Sequence, residues 1–276
     1  MSTVVRPRDA VSVMMVRDAP HGMEIFMLKR NCNLNFGSGA YVFPGGSVDE
    51  TDKDSNLECI CEGLSDRESS NRLGIESGGL AFWVAAIREC FEEAGILLAY
   101  DKGGKIISFS DRKTAKRFET YRDDINGNKK SILHICREEG LRLAVNQLYY
   151  FSHWITPLDV PHRFDTRFFV CEAPPEQVPV HDNGETVEHR WIRPRDALKL
   201  HKKGELKLIF PTIKHLEDIG KYKHSSELLA VARTKRYIPA ILPQRTHGPD
   251  GVKILLPGDP GYGESALRSQ ATSEKR

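Results

Sequence analysis

The sequence lacks a long apolar run. No stretch of its 276 residues approaches the roughly 20 apolar residues of a membrane-spanning helix, and residues 1–9 have no apolar centre of signal-peptide length. Cysteine is also scarce, since six thiols are scattered at positions 32, 59, 61, 90, 136 and 171, which is not typical of a disulfide framework. We therefore expect no membrane partner, a cytoplasmic location and reduced cysteines.

An excess of either charge is missing as well. Lysine and arginine number 40 against 38 aspartate and glutamate, for a net charge of +2, so composition gives no reason to expect a nucleic-acid partner. A small anionic ligand would have to be held by local charges. The 39% hydrophobic content supports a substantial core. We expect a single domain over residues 1–262 and a polar tail without fixed structure at 263–276; a homodimer stays open.

Residue patterns predict a mixed α/β (α+β) fold. Strand patterns occur at residues 10–16, 24–29, 41–43, 148–155, 167–171 and 187–192. Helical patterns occur at residues 81–94, 111–121, 130–139, 194–198 and 210–219. Residues 49–79 are polar and irregular, and the stretch of about 110–140 is a helical elaboration. We expect a mixed sheet flanked by helices.

Three carboxylates share one face of a predicted helix. Glu89, Glu92 and Glu93 stand at i, i+3 and i+4, which makes their side chains neighbours. The same helix carries Phe82 and Phe91 and has little free surface. A hard divalent cation relieves the repulsion, since Mg²⁺ takes oxygen ligands and keeps positions for water and substrate phosphates. A solvated surface face is the alternative, and the carboxylates alone do not decide.

The residues around these carboxylates resemble the Nudix box, whose family pattern is G-x5-E-x7-R-E-U-x-E-E-x-G-U with U apolar. Residues 88–96, RECFEEAGI, satisfy its second half when Cys90 counts as apolar, and residues 43–46, FPGG, match the strand and loop before the box. The pattern would place its arginine at position 60, whereas the sequence has it at 88. Surface loops tolerate such added length. Asp52 replaces the first glutamate, and we expect it to pair with Arg88.

The resemblance implies a Nudix fold and a metal-dependent hydrolase that cleaves a phosphoanhydride bond in a nucleoside-diphosphate derivative. It implies that Glu89, Glu92 and Glu93 hold Mg²⁺ or Mn²⁺. The carbonyl group of Gly45 would add a ligand, and Arg88 would orient a carboxylate.

A fourth carboxylate in this family usually comes from outside the box, and the run 181–191 contains two candidates. We favour Glu185 as the residue that completes the catalytic site, and we keep Glu188 as a metal ligand close behind. A solvated loop is the alternative for either residue.

Four basic residues are candidates for binding substrate phosphates. They are Lys29, Arg30, Arg163 and Arg167, because arginine forks and lysine point charges suit phosphate; a solvated surface is the alternative for each. The segments around them and the interrupted box resemble the long-insert branch of the Nudix family, which includes a mammalian peroxisomal coenzyme A diphosphatase.

That branch implies coenzyme A or an acyl-CoA as substrate, cleaved by an activated water to adenosine 3′,5′-diphosphate and 4′-phosphopantetheine or its acyl derivative. ADP-ribose, NADH and nucleotide sugars share the same bond and stay open. A regulatory protein that binds nucleotides without hydrolysis is the rival, but such proteins commonly lose box carboxylates.

The insertion within the box, about residues 53–80, has both ends at the expected site. We expect it to fold over the cleft as a lid.

Overall fold

The computed structural model describes residues 5–33, 37–182, 184–248 and 251–263. The strands are β1 (Arg8–Ala19), β2 (Gly22–Arg30), β3 (Tyr41–Val42), β4 (Ala99–Tyr100), β5 (Arg142–Leu143), β6 (Tyr149–Ile155), β7 (Phe164–Glu172), β8 (Thr186–Ile192), β9 (Ala240–Ile241), β10 (Gln244–Gly248) and β11 (Gly251–Leu255). The helices are α1 (Asp66–Leu73), α2 (Leu80–Ala94), α3 (Arg112–Asn126), α4 (Ile132–Glu139), α5 (Pro194–Lys202), α6 (Phe210–Ile219) and α7 (Ser225–Thr234). None of the helices within these ranges is long and apolar enough to cross a membrane.

A seven-stranded mixed sheet lies at the centre of the described structure. Its strands run in the order β3-β2-β1-β7-β6-β9, and β8 pairs with β2. β1 and β2 form the predicted hairpin, with Val16 opposite Ile25. β1 also pairs in parallel with β7, so that Arg8 lies opposite Phe164. The centre of the sheet is therefore built from strands that are far apart in the sequence.

Alternating side chains divide the core into two layers, one on each face of the sheet. Val11, Val13 and Met15 belong to one layer, whereas Met14 and Val16 belong to the other, because successive residues of a strand face opposite sides. The first layer contains residues of α1 to α4 and the second contains residues of α5 to α7. A mixed sheet between helical layers confirms the predicted fold class.

α2 is enclosed on most of its circumference. Every residue of α2 except Glu92 is buried. The Trp83 ring packs on the Phe169 ring at a centroid distance of 4.8 Å, and its indole N–H donates to the carbonyl oxygen of Leu148 at 3.1 Å. Gly95 ends the helix in the left-handed conformation, with φ 68°. The packing fixes the helix against the sheet and thus fixes the position of its acidic side chains.

Residues 49–79 are more regular than we predicted. They contain α1, which begins with a capping box: the Ser65 hydroxyl accepts from the N–H of Glu68, and the Glu68 carboxylate accepts from the N–H of Ser65. This Ser-x-x-Glu pattern is a helix-start signal that the sequence does carry. We also predicted no element at the short strands β4, β5 and β9, at α7 or at the β10–β11 hairpin. The predicted tail lies outside the described residues apart from Gly263, and the domain boundaries stay a prediction.

Candidate active site

The loop after β3 brings its backbone against α2. The carbonyl of Gly46 accepts from the N–H of Val11 at 2.9 Å, which fixes the loop to β1. A side chain at Gly45 would collide with the backbone of Val11, and one at Gly46 would collide with the carboxylate of Glu89. Glycine at both positions therefore allows the acidic side chains of α2 to reach the loop.

Three carboxylates gather in the C-terminal half of α2. Glu89 and Glu93 are buried, with 8% and 5% of their surface exposed, and the Glu93 carboxylate accepts from the N–H of Gly45 at 2.8 Å. Burial raises the pKa of Glu89 to about 8 and that of Glu92 to about 7. Burial, followed by the charge of Glu89, raises the pKa of Glu93. In its ionised form the cluster therefore needs positive charge nearby.

Arg88 supplies one positive charge and holds two of these carboxylates. Its Nε and Nη2 donate to the Asp52 carboxylate at 2.9 and 2.8 Å. Its Nη1 donates to Glu89 at 2.9 Å and to Glu92 at 3.0 Å. The ion pair that we expected between Asp52 and Arg88 thus forms in two-pronged geometry, although aspartate is shorter than the glutamate of the family pattern.

A cavity of about 1100 Å³ opens beside these carboxylates. One part of its wall is acidic and includes Asp49, Glu89, Glu92, Glu93, Asp182 and Glu185. Another part, which we call the apolar wall, consists of Trp154, Val160, Phe164, Phe168, Phe210 and Ile254. The cavity therefore combines a strongly polar region with a large apolar surface.

The acidic part of the wall suits a divalent cation in ligand type and charge. As placed in the described part of the chain, no three histidine, cysteine or acidic side chains converge closely enough to hold a metal ion. Instead, Arg88 contacts Glu89 and Glu92, and the Gly45 N–H contacts Glu93. Burial is the main reason why the pKa values of Glu89 and Glu93 are raised, so a bound cation would stabilise their ionised form. Carboxylate oxygens are the ligands that Mg²⁺ prefers.

The two candidates for a fourth carboxylate occupy different places. Glu185 lines the cavity, and its charge contributes to the raised pKa of Glu93. Glu188 accepts hydrogen bonds from Tyr41 and Arg190, which lower its pKa to about 2. It does not line the cavity. The structure therefore brings Glu185, and not Glu188, to the carboxylate cluster.

Arg30 lines the cavity, whereas its neighbour Lys29 does not. Arg30 also lies 3.9 Å from the carboxylate of Glu185. The amino group of Lys29 instead lies 3.3 Å from the carboxylate of Glu188. Lys29 does not line this cavity, and its contact with a substrate phosphate stays a prediction.

Arg163 and Arg167 are also placed away from the cavity. Arg163 is buried and donates to three main-chain oxygens, those of Val5, Thr156 and Pro157. Arg167 is buried beside Asp165 and pairs with that carboxylate. The Arg163 guanidinium thus ties the segment before β1 to the loop that follows β6. Neither residue lines this cavity, and their binding of substrate phosphates stays a prediction.

The insertion within the box stays off the cavity. Among the described residues, none between 53 and 80 lines it. The insertion packs instead at the first turn of α2, where the Asp66 carboxylate accepts from the N–H groups of Gly78 and Leu80, both at 3.0 Å. Its Leu57 and Leu73 are buried in the core layer of α2. The expected lid is therefore a support for the start of α2.

The helical elaboration reaches the cavity instead. Ile125, Asn126 and Asn128, around the turn between α3 and α4, line it. The sequence patterns missed these residues because the predicted helix stopped at residue 121, whereas α3 continues to Asn126. The dipeptide of Asn126 and Gly127 is a turn signal that could have placed the end of the helix.

The fold and the site together define a Nudix hydrolase. The solved structure of a NUDIX hydrolase from Alicyclobacillus acidocaldarius resembles the fold with a TM-score of 0.64, covering 83% of this chain and 97% of that chain. The two sequences are 24% identical. The likeness shows the fold.

The model of the NUDT19 Nudix domain family matches residues 63–219, which is more than half of the chain. The chain belongs to this family. It is similar to the acyl-coenzyme A diphosphatase NUDT19 of Xenopus laevis, with 26% identity over 87% of this chain and 72% of the relative. It is also similar to the acyl-coenzyme A diphosphatase NUDT19 of Homo sapiens, with 26% identity over 92% of this chain and 77% of the relative. The chain is a hydrolase, which sets aside the purely regulatory alternative.

Proposed function

We propose that the chain hydrolyses the diphosphate of coenzyme A or an acyl-CoA to adenosine 3′,5′-diphosphate and 4′-phosphopantetheine or its acyl derivative. One observation carries the proposal: a single cavity joins the carboxylate cluster of α2 to the apolar wall. An acyl-CoA has two matching parts, a diphosphate and a long arm that ends in an apolar chain. The names of the relatives in Xenopus laevis and Homo sapiens support the same substrate class.

Contacts between aromatic rings hold the apolar wall together. Trp154 and Phe210 pack with ring centroids 6.3 Å apart. Phe168 stacks on His215 at 4.1 Å, and the ring of His215 hydrogen-bonds the carbonyl oxygen of Pro211 at 2.7 Å. These contacts fix the start of α6 on the sheet. A preformed apolar surface of this kind favours a ligand with an apolar chain.

The polar candidates fit the apolar wall less well. ADP-ribose and nucleotide sugars carry a second sugar on the diphosphate, and NADH carries a polar nicotinamide nucleoside. Hydroxyl groups placed against Trp154, Phe168 and Phe210 would lose water without gaining hydrogen bonds, which costs free energy. We therefore place these substrates behind the acyl-CoAs.

The carboxylates would hold the divalent ions of the reaction. Glu89, Glu92 and Glu93 would be the ligands, together with the carbonyl oxygen of Gly45. A bound Mg²⁺ or Mn²⁺ supplies positive charge to the phosphate oxygens and lowers the pKa of a bound water. Arg88 positions two of the carboxylates through its hydrogen bonds to Glu89 and Glu92.

Hydrolysis forms one bond and breaks one. The water oxygen bonds to one phosphorus, and the bond from that phosphorus to the bridging oxygen breaks, so that the other phosphate leaves. The proton of the water must pass to a base. Glu185 lines the cavity with 63% of its side chain exposed, and it can accept that proton as a carboxylate.

A panel of substrates tests the proposal. The kcat/KM is measured with Mg²⁺ and with Mn²⁺ for CoA, acetyl-CoA, octanoyl-CoA, palmitoyl-CoA, ADP-ribose, NADH and UDP-glucose. We expect the CoA series to exceed the other substrates and to improve as the acyl chain grows. Phe210→Ser should remove the gain from the acyl chain, whereas Tyr237→Ser, at an exposed position, should not. ADP-ribose or UDP-glucose turned over faster than every CoA ester would refute the proposal.

A further inference from the structure

The turn between α3 and α4 presents two asparagine side chains to the cavity. Asn126 is the last residue of α3, and Asn128 follows Gly127. Both line the cavity and both are exposed. Neither carboxamide makes a hydrogen bond to another described residue. The two amide groups are therefore available to a ligand.

The backbone of this turn is held in an unusual conformation. Asn128 has φ 54°, and it is the one non-glycine residue with a positive φ in the described ranges. Its N–H donates to the carbonyl oxygen of Ile125 at 2.8 Å, which closes the turn. Asparagine tolerates this left-handed conformation better than most residues. Such conformations concentrate at ligand sites, and here one directs a carboxamide to the cavity wall.

Arg122 fixes the turn relative to the carboxylate cluster. Its Nε donates to the carbonyl oxygen of Glu92 at 2.8 Å, and its guanidinium lies beside Gly95 at the end of α2. Arg122 and Asn126 are four residues apart in α3, so they share one face of the helix. The face of α3 that contacts the acidic end of α2 therefore also carries Asn126 to the cavity.

We propose that Asn126 and Asn128 recognise the base of the nucleotide half of the substrate, and that this base is adenine. The inference rests on the proposed function, since it takes one substituent of the diphosphate to be a nucleoside. The apolar wall suits the acyl arm, which leaves the asparagine side of the cavity for the nucleoside. A carboxamide offers one donor and one acceptor, which match the amino group and ring nitrogen of adenine. Guanine offers two acceptors on the corresponding edge.

Binding measurements test this inference without requiring hydrolysis. Calorimetry of the full chain in Mg²⁺ gives the Kd of AMP, GMP and 4′-phosphopantetheine. The test variant combines Asn126→Ala with Asn128→Gly, because glycine keeps the left-handed backbone. The control is Asn71→Ala, at an exposed position of α1 outside the cavity.

We expect the unmodified chain to bind AMP about tenfold more tightly than GMP, and the double variant to lose about that factor for AMP alone. Binding of 4′-phosphopantetheine should stay unchanged. An unchanged Kd for AMP, or a loss confined to 4′-phosphopantetheine, would overturn the inference. If the double variant does not fold, Asn126→Asp with Asn128→Asp keeps the shape, replaces donors by acceptors and should show the same loss. A chain that binds AMP in this way but does not cleave acyl-CoA would refute only the proposed substrate.

Discussion

The two segments added around α2 contact opposite ends of that helix. The insertion within the box reaches its first turn, where Asp66 accepts from the N–H of Leu80. The helical elaboration reaches its last turn, where Arg122 donates to the carbonyl of Glu92. Of the two, the elaboration lines the cavity within the described part of the chain. A segment that interrupts a catalytic motif can thus serve stability, while one that follows the motif shapes the site.

The largest effect is expected at the last turn of α2, where the proposed metal ligands Glu92 and Glu93 lie. Glu92→Gln and Glu93→Gln should each lower kcat by about a hundredfold or more, because each removes a charge that would bind the metal ion. The fold should persist in the absence of metal, since both carboxyl groups are acids whose pKa burial raises. Initial rates at saturating Mg²⁺ and thermal unfolding measure the two effects. Near-normal turnover in either variant would show that the substituted residue does not bind the metal ion.

A core substitution in the insertion should affect stability and spare substrate selection. Leu57 is buried at 1% exposure in the core layer of α2. Leu57→Ala should lower the free energy of unfolding by about 2–5 kcal/mol, whereas Val178→Ala, at 82% exposure, should change it little. Denaturant unfolding gives both values. The ratio of the KM for palmitoyl-CoA to the KM for ADP-ribose should not change. A rise in KM for palmitoyl-CoA alone would support the interpretation of the insertion as a lid.

Arg122 offers a test of the other end of α2. Arg122→Met should lower kcat by about tenfold and raise the Mg²⁺ concentration needed for half-maximal rate, because the last turn loses the contact that positions it. Arg122→Lys should recover part of the activity. The control is Arg117→Met in the same helix, which removes the ion pair with Glu139 and a contact with the Phe118 ring but touches neither α2 nor the cavity. A loss of Tm with unchanged metal dependence would show that Arg122 acts on stability alone.

The smallest effect concerns the metal-free protein and pH. Burial raises the pKa of Glu89 from 4.5 to about 8, so the folded state favours the protonated acid. Its ionisation therefore destabilises the fold, and metal-free stability should fall as pH rises through that interval. Mg²⁺ should then raise Tm more at about pH 8 than at about pH 5, because it balances the ionised carboxylates. Equal shifts measured by scanning calorimetry would contradict this account.

Local patterns predicted the parts of the site that depend on neighbouring residues. The spacing of Glu89, Glu92 and Glu93 indicated one helical face, and the family resemblance indicated the pairing of Asp52 with Arg88. Both depend on contacts around a single helix and the loop before it. The hairpin of β1 and β2 could be predicted equally well, since its strands are adjacent in the sequence and joined by a turn.

Long-range packing placed the residues that the patterns could not. Arg163 looks like a phosphate ligand in the sequence, but burial among main-chain oxygens gives it a structural role. Asn126 reaches the cavity because α3 packs across the end of α2, a contact that no local periodicity encodes. The place where the insertion packs could not be predicted from the sequence either, since its buried leucines determine the direction in which it folds.

The parallel pairing of β1 with β7 has a consequence for the chain while it is being synthesised. β1 is complete at Ala19, but its partner is complete only at Glu172. At roughly 5–20 residues per second, the ribosome releases the second strand about 8 to 30 seconds after the first. During that interval the apolar β1–β2 hairpin has an unpaired edge, which is a template for association with other chains. A chaperone, or early packing of another segment of the chain on that edge, would protect the nascent protein until the sheet closes.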